Sequence, residues 1–96
     1  MEVILSPTAK VKLEDLLAYL NKEWSEKVKL EFIKKLDTKI NQVSRYPKSC
    51  PESRVFKGLY KCVVSTQTTF YYRIKSKEIE VITFFDTRQD PQKLNP

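Results

Sequence analysis

At 96 residues the chain has room for one domain (residues 1–96) with one modest core, and 41% hydrophobic and 31% charged residues exclude a disordered or low-complexity chain. No run approaches the ~18 apolar residues of a membrane-spanning helix, and the opening Met1-Glu2-Val3-Ile4-Leu5 lacks the basic and apolar regions of a signal peptide, so a cytoplasmic protein with no membrane partner is expected. Lys and Arg outnumber Asp and Glu by 18 to 12, a formal charge of +6, and the absence of histidine beside only two cysteines excludes a Cys/His metal site.

Residues 2–5 read as a short strand. Ser6-Pro7 then marks a helix start, because a serine oxygen can accept from a free amide and proline suits the first helical position. Leu13, Leu16, Leu17, Leu20 and Trp24 follow at spacings that draw one apolar stripe, and Trp24 is placed in the core with the rest. Ser25 can cap a second helix, with Glu26 in its first turn and a second stripe of Val28, Phe32, Leu36, Ile40 and Val43. Pro47 ends that helix by pushing the residue before it out of the α region.

Lys48–Ser53 reads as a loop, and Val55-Phe56 as a possible extra short strand or an extended approach to Gly58. Leu59–Ser65, Thr69–Lys75 and Glu78–Phe85 are rich in β-branched and aromatic residues and read as a meander, turning at Ser65–Thr68 and at Ser76-Lys77. Little regular structure is expected over Asp86–Pro96. Cys50 and Cys62 are read as reduced thiols, Cys62 packed on a strand, although pairing between them stays open. No cofactor or metal is expected.

The order β-α-α-β-β-β predicts an α+β fold in which a helical hairpin covers one face of a mostly antiparallel, curved four-stranded sheet. Strict alternation puts Phe70, Tyr72 and Ile74 on one face of their strand, with Tyr71 and Arg73 on the other. In the last strand it groups Ile79, Val81 and Phe85, and turns Ile82 and Phe84 the opposite way. Tyr71, Ile82 and Phe84 would then form a partly exposed apolar area of the kind that meets a partner. The +6 surface suits a polyanion or an acidic protein segment. Tyr60, Tyr71 and Tyr72 offer faces on which bases stack in RNA-binding sheets, but strand packing is the reading preferred here. Arg73 is expected to pair with Glu80 across a hairpin.

Several segments, in this order, resemble the RelE/ParE superfamily of type II toxin–antitoxin toxins over essentially the whole chain: Ser6-Pro7-Thr8-Ala9, Asp15-Leu16-Leu17, Tyr46-Pro47, Gly58-Leu59-Tyr60-Lys61, Phe70-Tyr71-Tyr72-Arg73-Ile74 and Ile79-Glu80-Val81. The ending Phe84-Phe85-Asp86-Thr87-Arg88-Gln89-Asp90-Pro91 resembles the ParE-like branch. The resemblance implies a toxin held in check by a cognate antitoxin whose flexible, often acidic segment wraps it. Tyr71, Ile82, Phe84 and Arg88 are the expected partner-binding residues.

RelE-like relatives cleave mRNA on the ribosome with strand lysines, an arginine ending the first meander strand, a later arginine and, in some, a C-terminal tyrosine. Lys61 matches one lysine and Arg88 the later arginine, the two candidates for catalysis if the protein is a nuclease. Val63 and Ser65 stand where a second lysine and the first arginine are expected, and no tyrosine follows Arg88. Missing cations opposite a transferring phosphate weaken transition-state stabilisation by several kcal/mol. The depleted set favours ParE-like inhibition by protein contact, with DNA gyrase as the expected target. Ribosome-dependent mRNA cleavage is the alternative, and an inactive antitoxin-binding relative is a further one.

Overall fold

The computed structural model describes residues 1–89, and the expected tail beyond Gln89 lies outside them. The elements are β1 (Glu2–Leu5), α1 (Pro7–Tyr19), a π-helical turn (Leu20–Trp24), α2 (Glu26–Arg45), β2 (Tyr60–Val63), β3 (Thr68–Ile74) and β4 (Glu78–Asp86). The strand order is β1-β4-β3-β2, with β1 parallel to β4 and the other pairs antiparallel. Both serine caps form: Ser6 Oγ accepts from Ala9 N at 3.0 Å and Ser25 Oγ from Val28 N at 3.1 Å. Each satisfies an amide that the helix itself cannot. Asp86, expected to open the tail, closes β4 instead.

One face of the sheet carries the core. Leu16 and Leu20 of the first helical segment, with Phe32, Leu36 and Val43 of α2, pack on Cys62, Phe70, Tyr72, Ile79, Val81 and Phe84. No helix among the described residues is long and apolar enough to cross a membrane.

Trp24 departs from its expected place in the core and is 54% exposed. Ser25 N bonds to Leu20 O, an i→i+5 closure. A π turn holds more residues than an α turn, so each residue rotates less about the axis and Trp24 is swung away from the line its α-helical spacing predicts. The indole leaves the stripe at the helix end.

Phe84 also departs from expectation. The β3–β4 register runs Tyr71↔Thr83 and then Tyr72↔Val81, leaving Ile82 as an extra residue in β4. A bulge of one residue reverses the faces of everything beyond it. Phe84 therefore pairs with Phe70 on the helix side and is only 3% exposed, so it presents no surface to a partner. Ser6 anchors the irregularity, donating through its amide to Val81 O at 2.9 Å and through its hydroxyl to Ile82 O at 2.7 Å.

Val55-Phe56 forms no strand. Glu52 bridges to Tyr60, and the intervening segment turns at Phe56–Leu59, where Leu59 N bonds to Phe56 O. Gly58, with φ +85°, occupies the third position of that turn, where a side chain is strained.

Candidate functional site

Alternation from the register defines the uncovered face of the sheet. It carries Lys61 and Val63 of β2, Thr69, Tyr71 and Arg73 of β3, and Glu80, Thr83 and Phe85 of β4. Lys61 and Arg73 are exposed, and Val63 is 52% exposed. The apolar middle is smaller than expected. Phe56 folds over Tyr71 edge-to-face, ring centres 4.9 Å apart, and Tyr71 is left 8% exposed. Burial holds the Tyr71 phenol above its ordinary value of 10.0. Ile82, in the bulge, is half-buried. Glu80 forms its ion pair with Lys75 at 3.2 Å, in place of the expected Arg73.

Tyr60 and Tyr72 pack against each other. Tyr72 is fully buried, donates to Pro47 O at 2.7 Å, and stacks on Tyr60 with ring centres 5.4 Å apart. Tyr72 therefore offers no face to a base, and one face of Tyr60 is taken by that stack.

Arg88 sits on the helix side, beyond the end of β4. Its guanidinium holds both oxygens of the buried Asp86 carboxylate, Nε to Oδ1 at 3.1 Å and Nη2 to Oδ2 at 2.7 Å, and its amide donates to Oδ1 at 2.8 Å. Thr68 donates to the same carboxylate and accepts from Arg88 Nη2 at 3.2 Å. Burial alone would raise the Asp86 carboxyl. The hydrogen bonds from Arg88 and Thr68, with the charge of Arg88, outweigh it and hold that carboxyl below its ordinary value. The Arg88 guanidinium lies 5.7 Å from the Trp24 ring centre, and its carbonyl accepts from the Tyr19 hydroxyl at 2.8 Å. Trp24 Nε1 in turn donates to that hydroxyl at 3.4 Å.

The structure thus does not bring the two nuclease candidates together. Lys61 lies on the uncovered face, while Arg88 is bound to Thr68 and Asp86 on the helix-covered one. The partners of Arg88 were missed from sequence: Asp86 two residues before it, Thr68 across the strand pair, and Tyr19 and Trp24 from the first helical segment. Among the described residues no three His, Cys, Asp or Glu side chains group as a metal site.

Residues 3–91 match the family described as the ParE toxin of the type II toxin–antitoxin system, parDE. Solved structures share the fold. The chromosomal ParDE TA system from P. aeruginosa matches with a TM-score of 0.75 at 11% identity, over 90% of this chain and 95% of that one. The YoeB/ParE toxin from Agrobacterium tumefaciens gives 0.64 at 15% identity, over 90% and 98%. The E. coli DinJ-YafQ complex gives 0.61 at 11% identity, over 91% and 93%. No curated protein matches the sequence.

Proposed function

The chain belongs to the ParE toxin family of type II toxin–antitoxin systems, and from that membership we propose a toxin that arrests growth by protein contact, with DNA gyrase as target, and that a cognate antitoxin neutralises. The observation that carries the choice over RNA cleavage is the placement of Arg88. Its guanidinium is neutralised by Asp86 and stands on the opposite side of the sheet from Lys61. A nuclease of this fold needs cations converging on one phosphate to hold the charge that develops there.

The antitoxin is proposed to lay an extended acidic segment over the uncovered face. Lys61 and Arg73 supply charge there, and Val63, with the exposed part of Ile82, supplies apolar contact. An extended segment gathers affinity from such dispersed contacts rather than from one pocket.

The test adds purified protein to a gyrase supercoiling reaction, with and without the product of the adjoining antitoxin gene. Inhibition that the second protein relieves is the expected result. Supercoiling left unchanged at concentrations that arrest growth overturns the gyrase assignment. New cleavage ends in translated message, lost in Arg88→Ala, transfer the protein to the endonuclease class.

A further inference from the structure

The segment before β2 meets it antiparallel at a single bridge. Ser53 N donates to Leu59 O at 2.7 Å and Lys61 N to Pro51 O at 2.9 Å, with the Glu52↔Tyr60 bridge between them. These bonds set Ser53 opposite Leu59 and Pro51 opposite Lys61, and the same register carried one residue further sets Cys50 opposite Cys62. Because 53/59 and 51/61 are the hydrogen-bonded pairs, 50/62 falls at a non-hydrogen-bonded position, where Cα atoms in an antiparallel ladder approach to about 4.5 Å and side chains lie closest. That separation lies inside the window a disulfide spans, near its short and more reducible end. Cys62 belongs to the core-facing set of β2, and both thiols are buried, free, and part of one core cluster.

We propose that Cys50 and Cys62 are a reversible redox pair that closes to an intramolecular disulfide when the folded protein meets a low-molecular-weight disulfide. Cys50, the thiol with more access, attacks as the thiolate. The oxidant's S–S bond breaks, one small thiolate leaves, and a mixed disulfide forms on Cys50. The Cys62 sulfur gives up its proton to solvent and attacks the Cys50 sulfur, expelling the second small thiol. Two protein thiols lose two electrons, and one small disulfide becomes two thiols.

Burial, then hydrogen bonding and charge repulsion from Cys50, push the Cys62 thiol up to about 12, opposed only by nearby Lys39. Cys62 is thus the slower nucleophile and the resolving partner rather than the first to attack. Closure makes a covalent ring of residues 50–62, the segment that carries Gly58 and holds Phe56 over Tyr71. Oxidation thereby fixes the cover on the uncovered face of the sheet.

The test treats the folded full chain with glutathione disulfide, then denatures it and alkylates any remaining thiols. The expected product has lost two hydrogens, takes up no alkyl group, yields a linked peptide pair containing positions 50 and 62, and returns to the free form with dithiothreitol. Its thermal midpoint should rise by several degrees, because the ring restricts the unfolded chain. Cys62→Ser should instead retain one glutathione on Cys50. Two alkylated thiols after exposure, a glutathione retained by the unaltered chain, or a disulfide-linked dimer would each overturn the proposal, and these readouts on the unaltered chain decide it even where the variant fails to fold.

Discussion

The Arg88 guanidinium lies along both oxygens of the Asp86 carboxylate, with Arg88 Nη2 also 3.2 Å from the Thr68 hydroxyl. Two planar groups joined by parallel bonds form a specific pairing. With the Asp86 side chain buried and the Arg88 side chain 13% exposed, neither charge has water as a ready substitute. Asp86→Ala leaves a largely buried cation unpaired, so we expect a loss of about 3 kcal/mol in stability, measured by urea unfolding. A change under 0.5 kcal/mol would mean that Arg88 finds solvent without cost.

The same carboxylate predicts a pH dependence. Its folded value is depressed, so its contribution is complete above the ordinary 3.8 and is lost as the pH falls through the lower folded value. Acid titrations of stability should show a slope in that window for the native chain. Asp86→Asn should flatten it, and equal slopes in the two proteins would remove Asp86 from the account.

Phe84 tests the bulge. Pairing with Phe70 in the core predicts that Phe84→Ala costs about 3–5 kcal/mol by denaturant unfolding. Val63→Ala, on the uncovered face, should stay within about 0.5 kcal/mol. Reversal of that order would restore strict alternation in β4.

Ser6 serves two elements at once, and Ser6→Ala removes the α1 cap together with the hydroxyl bond to Ile82 O. The expected cost is about 2 kcal/mol, read as a lowered urea midpoint at unchanged slope. Ser6→Thr, which keeps the oxygen, should recover most of it.

Gly58→Ala isolates the cover over Tyr71. Nothing lies within 4 Å of the added carbon, so the cost comes from the backbone at φ +85° alone, about 1–2 kcal/mol. If strain loosens the turn and lifts Phe56, the Tyr71 phenol should titrate closer to 10.0 in an ultraviolet titration. An unshifted titration would show that the cover does not depend on this turn.

Much of the fold was legible because local and global signals agreed. Ser6-Pro7, Ser25-Glu26 and Pro47 bound the helices with the caps and stop that the structure uses, and Phe32, Leu36 and Val43 lie on the buried line. The exceptions share a cause: each turns on a single residue that shifts a period. A π turn moves Trp24, and one bulged residue moves Phe84; neither Leu20–Trp24 nor Ile82 differs in composition from regular helix or strand. At the candidate site, Arg88 was visible as a cation after a strand. Its neutralisation by Asp86 was not, because Asp86 read as the first residue of a polar tail. Phe56 over Tyr71 was hidden for a different reason, since a loop's fold-back depends on the turn at Gly58 and leaves no periodic trace.

The joining of Ser6 to the Ile82 carbonyl, with β1 alongside β4, makes the front of this protein wait for its back. Until the last strand has been made, β1 has no neighbour in the sheet and the bulge has nothing to hold it. Assembly governed by such distant contacts is slow compared with helix formation. The sheet is therefore complete only once β1 has met β4 across the whole length of the chain between them.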